Sequence, residues 1–266
     1  MDDVRLYIFQ CGVLRSWQHL STANAGFGER LDMPVPWFVI LHPRGVAIVD
    51  GGNPPECITD LEHHWPPAVA ENAFPAMTED DLCLAGLARI GVDPSEVTHL
   101  VQSHLHLDHT GALAVADRFP NAEVVVWRRE YEYAYTADWF AAPLYIRKDF
   151  DKPELRWTLI EDDDDGYDVF GDGRVRMWQT PGHCPGHMSI TVDLPQSGTM
   201  LLAIDAVPTM EHWREEVLPP GIPSLLDNAR STRKLHRLAA RTGATVVPGH
   251  DANRFPTFRL APEHYA

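Results

Sequence analysis

The stretch Ser103-His104-Leu105-His106-Leu107-Asp108-His109-Thr110-Gly111 packs three imidazoles and a carboxylate into six residues. Alternate side chains of an extended segment project the same way, so His104 and His106 can grip one ion while Asp108 and His109 turn toward a neighbouring one. The flanks constrain the fold. THLVQS (98–103) reads as a buried strand and 111–119 as a short helix, so the donors stand where a strand hands over to a helix. Neutral imidazoles with one carboxylate suit zinc, and also iron, manganese or cobalt.

The rest of the chain alternates sheet and helix in a way that supports an α/β class. Apolar periodicity predicts strands at 4–12, 37–42 and 46–50, with Pro43-Arg44-Gly45 turning between the last two. A helix is expected from Thr78, its N-cap, to a stop at Gly91, then a strand at 122–127 and an aromatic-rich helix at 128–140. The acidic run 161–165 reads as a solvated turn, because consecutive acids repel. Strands at 174–180, 188–194 and 199–205 follow, then a helix at 224–241, a strand at 244–248 and a short C-terminal tail. No internal repeat, low-complexity linker or composition break divides the chain, so residues 1–266 are expected to form one domain.

Three more donors stand at or just beyond the C-terminal ends of predicted strands, where loops of an α/β sheet gather a site. His183 lies in the Pro- and Gly-flanked loop TPGHCPGH, Asp205 closes the apolar strand MLLAID, and His250 follows VVPG. A carboxylate directly after buried strand residues needs a strong partner such as a metal. The net charge of −16 argues against nucleic acid as a partner. No run of about 18 apolar residues suggests a membrane span, and Met1-Asp2-Asp3 does not open a signal peptide, so a cytoplasmic location is expected. Cys11, Cys57, Cys83 and Cys184 form no CxxC pair and are expected to be reduced thiols.

The motif HxHxDH at 104–109, with His183, Asp205 and His250, resembles the metallo-β-lactamase superfamily. Stretches 77–111, 180–190, 197–206 and 248–255 are similar to the N-acyl-homoserine lactonases in particular. The resemblance implies an αββα sandwich holding two divalent ions, zinc above the other metals. It puts His104, His106 and His183 on the first ion, Asp108, His109 and His250 on the second, and Asp205 between them. Asp50, in VAIVDGG, corresponds to an acid that supports the ligands. The implied reaction is opening of a lactone by attack of metal-bridging hydroxide, with Asp108 moving the proton and Asp205 also catalytic. The partner would be a small lactone or ester, and the sequence leaves its acyl group and the oligomeric state open.

One departure matters: the lactonases carry a tyrosine three residues after the bridging aspartate, and here Pro208 stands there with no donor to offer. His212, Tyr131, Tyr133 and Tyr135 are candidates to replace it, and Phe27, Trp37, Trp139, Phe140 and Trp213 are candidate pocket lining. Cys184 reads as a bystander rather than a nucleophile. A glyoxalase II-type thioesterase shares the ligands but adds a helical domain, for which the 16 residues after His250 leave no room. A flavodiiron-type redox protein would need glutamate where His106 stands and a flavin domain. A secreted β-lactamase, a nuclease and a non-catalytic binding module fit less well still.

Overall fold

Side chains along the first long strand alternate between two apolar environments. Leu6 and Ile8 face one buried cluster while Tyr7 and Phe9 face another. A strand buried on both faces loses the polar alternation of a surface strand. In the next strand Trp37, Val39 and Leu41 face the one cluster and Phe38 and Ile40 the other, which is why WFVILH (37–42) reads as a continuous apolar run. The structure, a computed structural model, describes residues 3–161 and 166–266.

Two sheets carry these strands. The first contains β1 (Arg5–Trp17), β2 (Arg30–His42), β3 (Gly45–Val49), β4 (Phe74–Ala76), β5 (Val97–Val101), β6 (Glu123–Trp127) and β7 (Trp157–Ile160), in the order β4-β1-β2-β3-β5-β6-β7. The second contains β8 (Tyr167–Asp168), β9 (Val175–Gln179), β10 (Met188–Leu194), β11 (Gly198–Ile204) and β12 (Thr245–Pro248), in the order β12-β11-β10-β9-β8. Ile40, Val49 and Val101 of the first sheet meet Met177, Ile190 and Leu202 of the second in one core. The opposite face of the first sheet packs Trp37, Ile48 and Leu100 on Leu87 and Leu113 of the helices that cover it. Leu201 and Ala203 on the far face of the second sheet meet Leu235 and Leu238 of the helix Leu225–Thr242. The layers are helix, sheet, sheet, helix: the expected αββα sandwich.

Departures from the expected elements have local causes. The strand expected at 37–42 begins at Arg30, because Pro34 and Pro36 sit opposite an irregularity between Gln10 and Val13 of β1, where the ladder tolerates a missing N–H. The helix expected from Thr78 opens as a tight turn, Glu79–Asp81, closed by a Thr78–Asp81 capping box, before Cys83–Arg89. The helix expected over 111–119 divides into Gly111–Ala114 and Ala116–Arg118, and that over 128–140 ends at Thr136. The C-terminal segment joins the first sheet, with backbone hydrogen bonds of 2.9 Å in both directions between Leu6 and Tyr265. Of the acidic run 161–165, only Glu161 lies within the described residues, where it pairs with Arg128 at 2.6 Å.

Candidate metal centre

Five strands deliver the site at their C-terminal ends. β3 runs into Asp50, β5 into the loop 102–110, β9 into the His183 loop, β11 into Asp205, and β12 into His250. Ligating atoms of His104, His106 and His183 lie within 4.8 Å of one another, as do those of Asp108, His109 and His250, and those of His104, His109 and Asp205. All seven donors nominated from the sequence therefore converge.

Asp205 lies between the groups. Its Oδ2 is 3.3 Å from His183 Nε2, and its Oδ1 is 3.2 Å from His250 Nε2 and 3.6 Å from His109 Nε2. His183 Nε2 is 3.0 Å from His106 Nδ1, and Asp108 Oδ2 is 3.6 Å from His109 Nε2 and 3.7 Å from His250 Nε2. Among the described residues, His104 Nε2, His109 Nε2 and Asp205 Oδ1 are buried without a hydrogen-bond partner. Buried polar atoms are rarely left unpaired, and three facing one point fit a cation.

The outer nitrogens fix which lone pairs point inward. Asp50 accepts from the Ser103 backbone N–H at 2.8 Å and from Ser103 Oγ at 2.8 Å, which spends that hydroxyl's only proton. His104 Nδ1, 3.0 Å from the same oxygen, must then donate, leaving Nε2 as the acceptor. His109 Nδ1 donates to Asp50 at 2.9 Å and His250 Nδ1 to the Pro34 carbonyl at 2.8 Å. These bonds orient the rings and raise their basicity as metal ligands.

Electrostatics divides the histidines in the metal-free protein. Burial holds His104, His106 and His183 below the usual imidazole range, with neighbouring histidines adding to the effect. Burial also opposes charge on His109 and His250, but Asp108 and Asp205 outweigh it and push them to about 10 and about 9. Asp205 is held well below the usual carboxylate range by His250, His183 and His109 against its own desolvation.

Sequence reasoning missed Glu130. It is fully buried and accepts from Leu105 N (3.0 Å), Tyr145 OH (3.1 Å), Cys184 Sγ (3.0 Å) and Gly186 N (3.2 Å). Leu105 separates two candidate ligands and Cys184 follows a third, so one carboxylate ties both loops together. Burial pushes the Cys184 thiol up, which suits a hydrogen-bond donor and not a nucleophile.

His106, Asp108, His183, Asp205 and His250 form the floor of a cavity of about 430 Å³ whose walls include Leu14, Leu20, Met33, Val69, Leu144 and Ile222. The expected lining was aromatic, and the structure corrects this. Trp37 stacks on Phe9 under the first sheet, Trp213 packs on His236, and Phe27 and Trp139 are 74% and 87% exposed. Nor do the four donors considered in place of the missing tyrosine reach the cavity. His212 faces Thr209, Tyr131 packs on Trp157, Tyr133 donates to Asp138 and Tyr135 to Asp151. Pro208 does line it.

A sandwich of this order, with a histidine and aspartate floor under an apolar cavity, is the architecture of a metal-dependent hydrolase. The chain belongs to the metallo-beta-lactamase superfamily, whose profile matches residues 30–250. It is 51% identical to the N-acyl homoserine lactonase AttM of Azorhizobium caulinodans over 266 residues, covering all of both chains. It is 30% identical to the N-acyl homoserine lactonase AiiA of Bacillus thuringiensis subsp. kurstaki, over 99% of this chain and 100% of that one. A solved N-acyl homoserine lactone hydrolase with the product N-hexanoyl-L-homoserine at its catalytic metal centre superposes with a TM-score of 0.86 at 28% identity, covering 99% of this chain and 100% of that chain.

Proposed function

We infer that this protein is a metal-dependent hydrolase that opens lactone rings, with N-acyl homoserine lactones as the substrate class. The observation that carries the reading is the convergence of seven donors, five of them on the floor of an aliphatic cavity, in a chain half identical to a named lactonase along its whole length. We assign His104, His106 and His183 to one ion, Asp108, His109 and His250 to a second, and Asp205 to both. Imidazole and carboxylate donors favour zinc, and iron, manganese and cobalt accept the same set. Two such ions supply Lewis acidity and lower the pKa of water toward neutrality.

The chain's own residues do the remaining work. Asp205 and the imidazoles fix the reacting centre, and the aliphatic walls exclude bulk water and accept an acyl chain. Asp108 lines the cavity beside two imidazole nitrogens, close enough to the reacting centre to pass a proton to the alkoxide as the ring opens. His106, 3.0 Å from His183, completes a three-imidazole set where a flavodiiron protein would place glutamate. Because both sheets supply ligands, we treat residues 1–266 as one functional domain.

Among the described residues no helix is long and apolar enough to cross a membrane. We place the enzyme in the cytoplasm, acting on a small molecule and not on nucleic acid. The test is a pH-stat screen of metal-loaded protein against acyl-homoserine lactones, plain γ- and δ-lactones, aryl esters and S-acyl glutathione. Acid release from the lactones above all other substrates is expected, and preference for the thioester would overturn the reading.

A further inference from the structure

Beyond the donors of its floor, the cavity has few polar side chains: Ser16, Ser21 and Asn72. Asn72 is exposed and its amide donates to the Ala68 carbonyl at 2.8 Å. Ser16 and Ser21 are 2% and 7% exposed, and no described residue hydrogen-bonds either hydroxyl. Neither hydroxyl is among the sealed, unpaired atoms of the described residues, so both are open to the cavity. Ligand pockets keep such groups where they orient the ligand.

Their position follows from strand register. Leu14 pairs with Met33, the neighbour of Pro34, whose carbonyl holds His250. Ser16 lies two residues further along β1 on the same face as Leu14, about 7 Å outward from the wall beside the floor. Ser21 ends the short helix Gln18–Ser21 that follows and brings a second hydroxyl to the same cavity. Pro208, on the wall near Asp205, has neither a side-chain donor nor a backbone N–H.

We propose that Ser16 and Ser21 determine substrate choice by hydrogen-bonding the amide substituent of an acyl-homoserine lactone. The proposal rests on the lactonase reading. Each hydroxyl can donate and accept, which matches the carbonyl oxygen and the N–H of an amide. The aliphatic wall beyond receives the acyl chain. A site built to bond a polar group discriminates more sharply than an apolar one, because its own groups are stranded when that group is missing.

The experiment compares N-hexanoyl-homoserine lactone with γ-caprolactone, which has the same ring without the amide, on wild type, Ser16→Ala, Ser21→Ala and the double variant. The double variant should lose about 10- to 100-fold in kcat/KM on the amide substrate and less than about threefold on γ-caprolactone. Ser16→Thr, which keeps the hydroxyl, should retain most of the preference. Equal losses on both substrates, or none on either, would overturn the proposal. Failure of the lactonase reading is distinct: wild type would then open neither ring.

Discussion

Asp50 shows how one side chain sets the chemistry of several others. It adopts φ 64°, an uncommon conformation for a residue with a Cβ, and from there bonds Ser103 twice and His109 once. Asp50→Ala should therefore weaken metal binding about 10- to 100-fold with the ligands untouched, as measured by competition with a chromophoric chelator. Unchanged affinity would show that the rings keep their orientation without Asp50. The protonation pattern leads to a second expectation. His109 and His250, held at about 10 and about 9 without metal, keep their protons at neutral pH. Zinc added to chelated protein should release on the order of two protons per chain, so affinity should fall as pH falls. Calorimetry in buffers of different ionisation enthalpy reads this number, and a value near zero would contradict it.

Among the elements, the loops after strands matter most, and they differ in how far their sequence reveals them. The loop 104–109 declares itself because four donors are adjacent, and His183, Asp205 and His250 stand out because each follows an apolar strand. Glu130 leaves no such trace. It sits in the helix Arg128–Thr136, whose sequence RREYEYAYT stands out for its aromatics, and its burial follows from two loops that fold over it. Gly186 permits this approach, since a Cβ there would lie 2.2 Å from the Glu130 nitrogen. Glu130→Ala strands four donors and should destabilise the protein by about 2 to 4 kcal/mol in urea unfolding, with Glu130→Gln milder. A loss below about 0.5 kcal/mol would mean that the loops hold without it. The cavity wall was illegible for another reason: it is assembled from residues far apart in the chain, among them Leu14, Met33, Val69, Leu107, Leu144 and Ile222. Aromatic residues that looked like lining from composition serve instead as core or surface.

At the scale of the whole molecule, the two sheets share one core and each supplies ligands, so metal binding and folding should be linked. Chelation should lower Tm by several degrees while preserving a single transition, and two resolved transitions would contradict treatment of the chain as one domain. The α/β class was readable from the alternation of strands and helices and the αββα layering only from the family resemblance, whereas β4 and β8, of three and two residues, were too short for periodicity to reveal. The assignment of seven residues from both sheets to two ions needed to open a lactone makes metal content decisive. Elemental analysis of purified protein, paired with lactone hydrolysis before and after exhaustive chelation, tests it directly. The expected result is about two divalent ions per chain, activity lost with them and restored on their return, and His106→Ala retaining about one ion with little activity. Folded protein that opens lactones at full rate with metal near zero would contradict it.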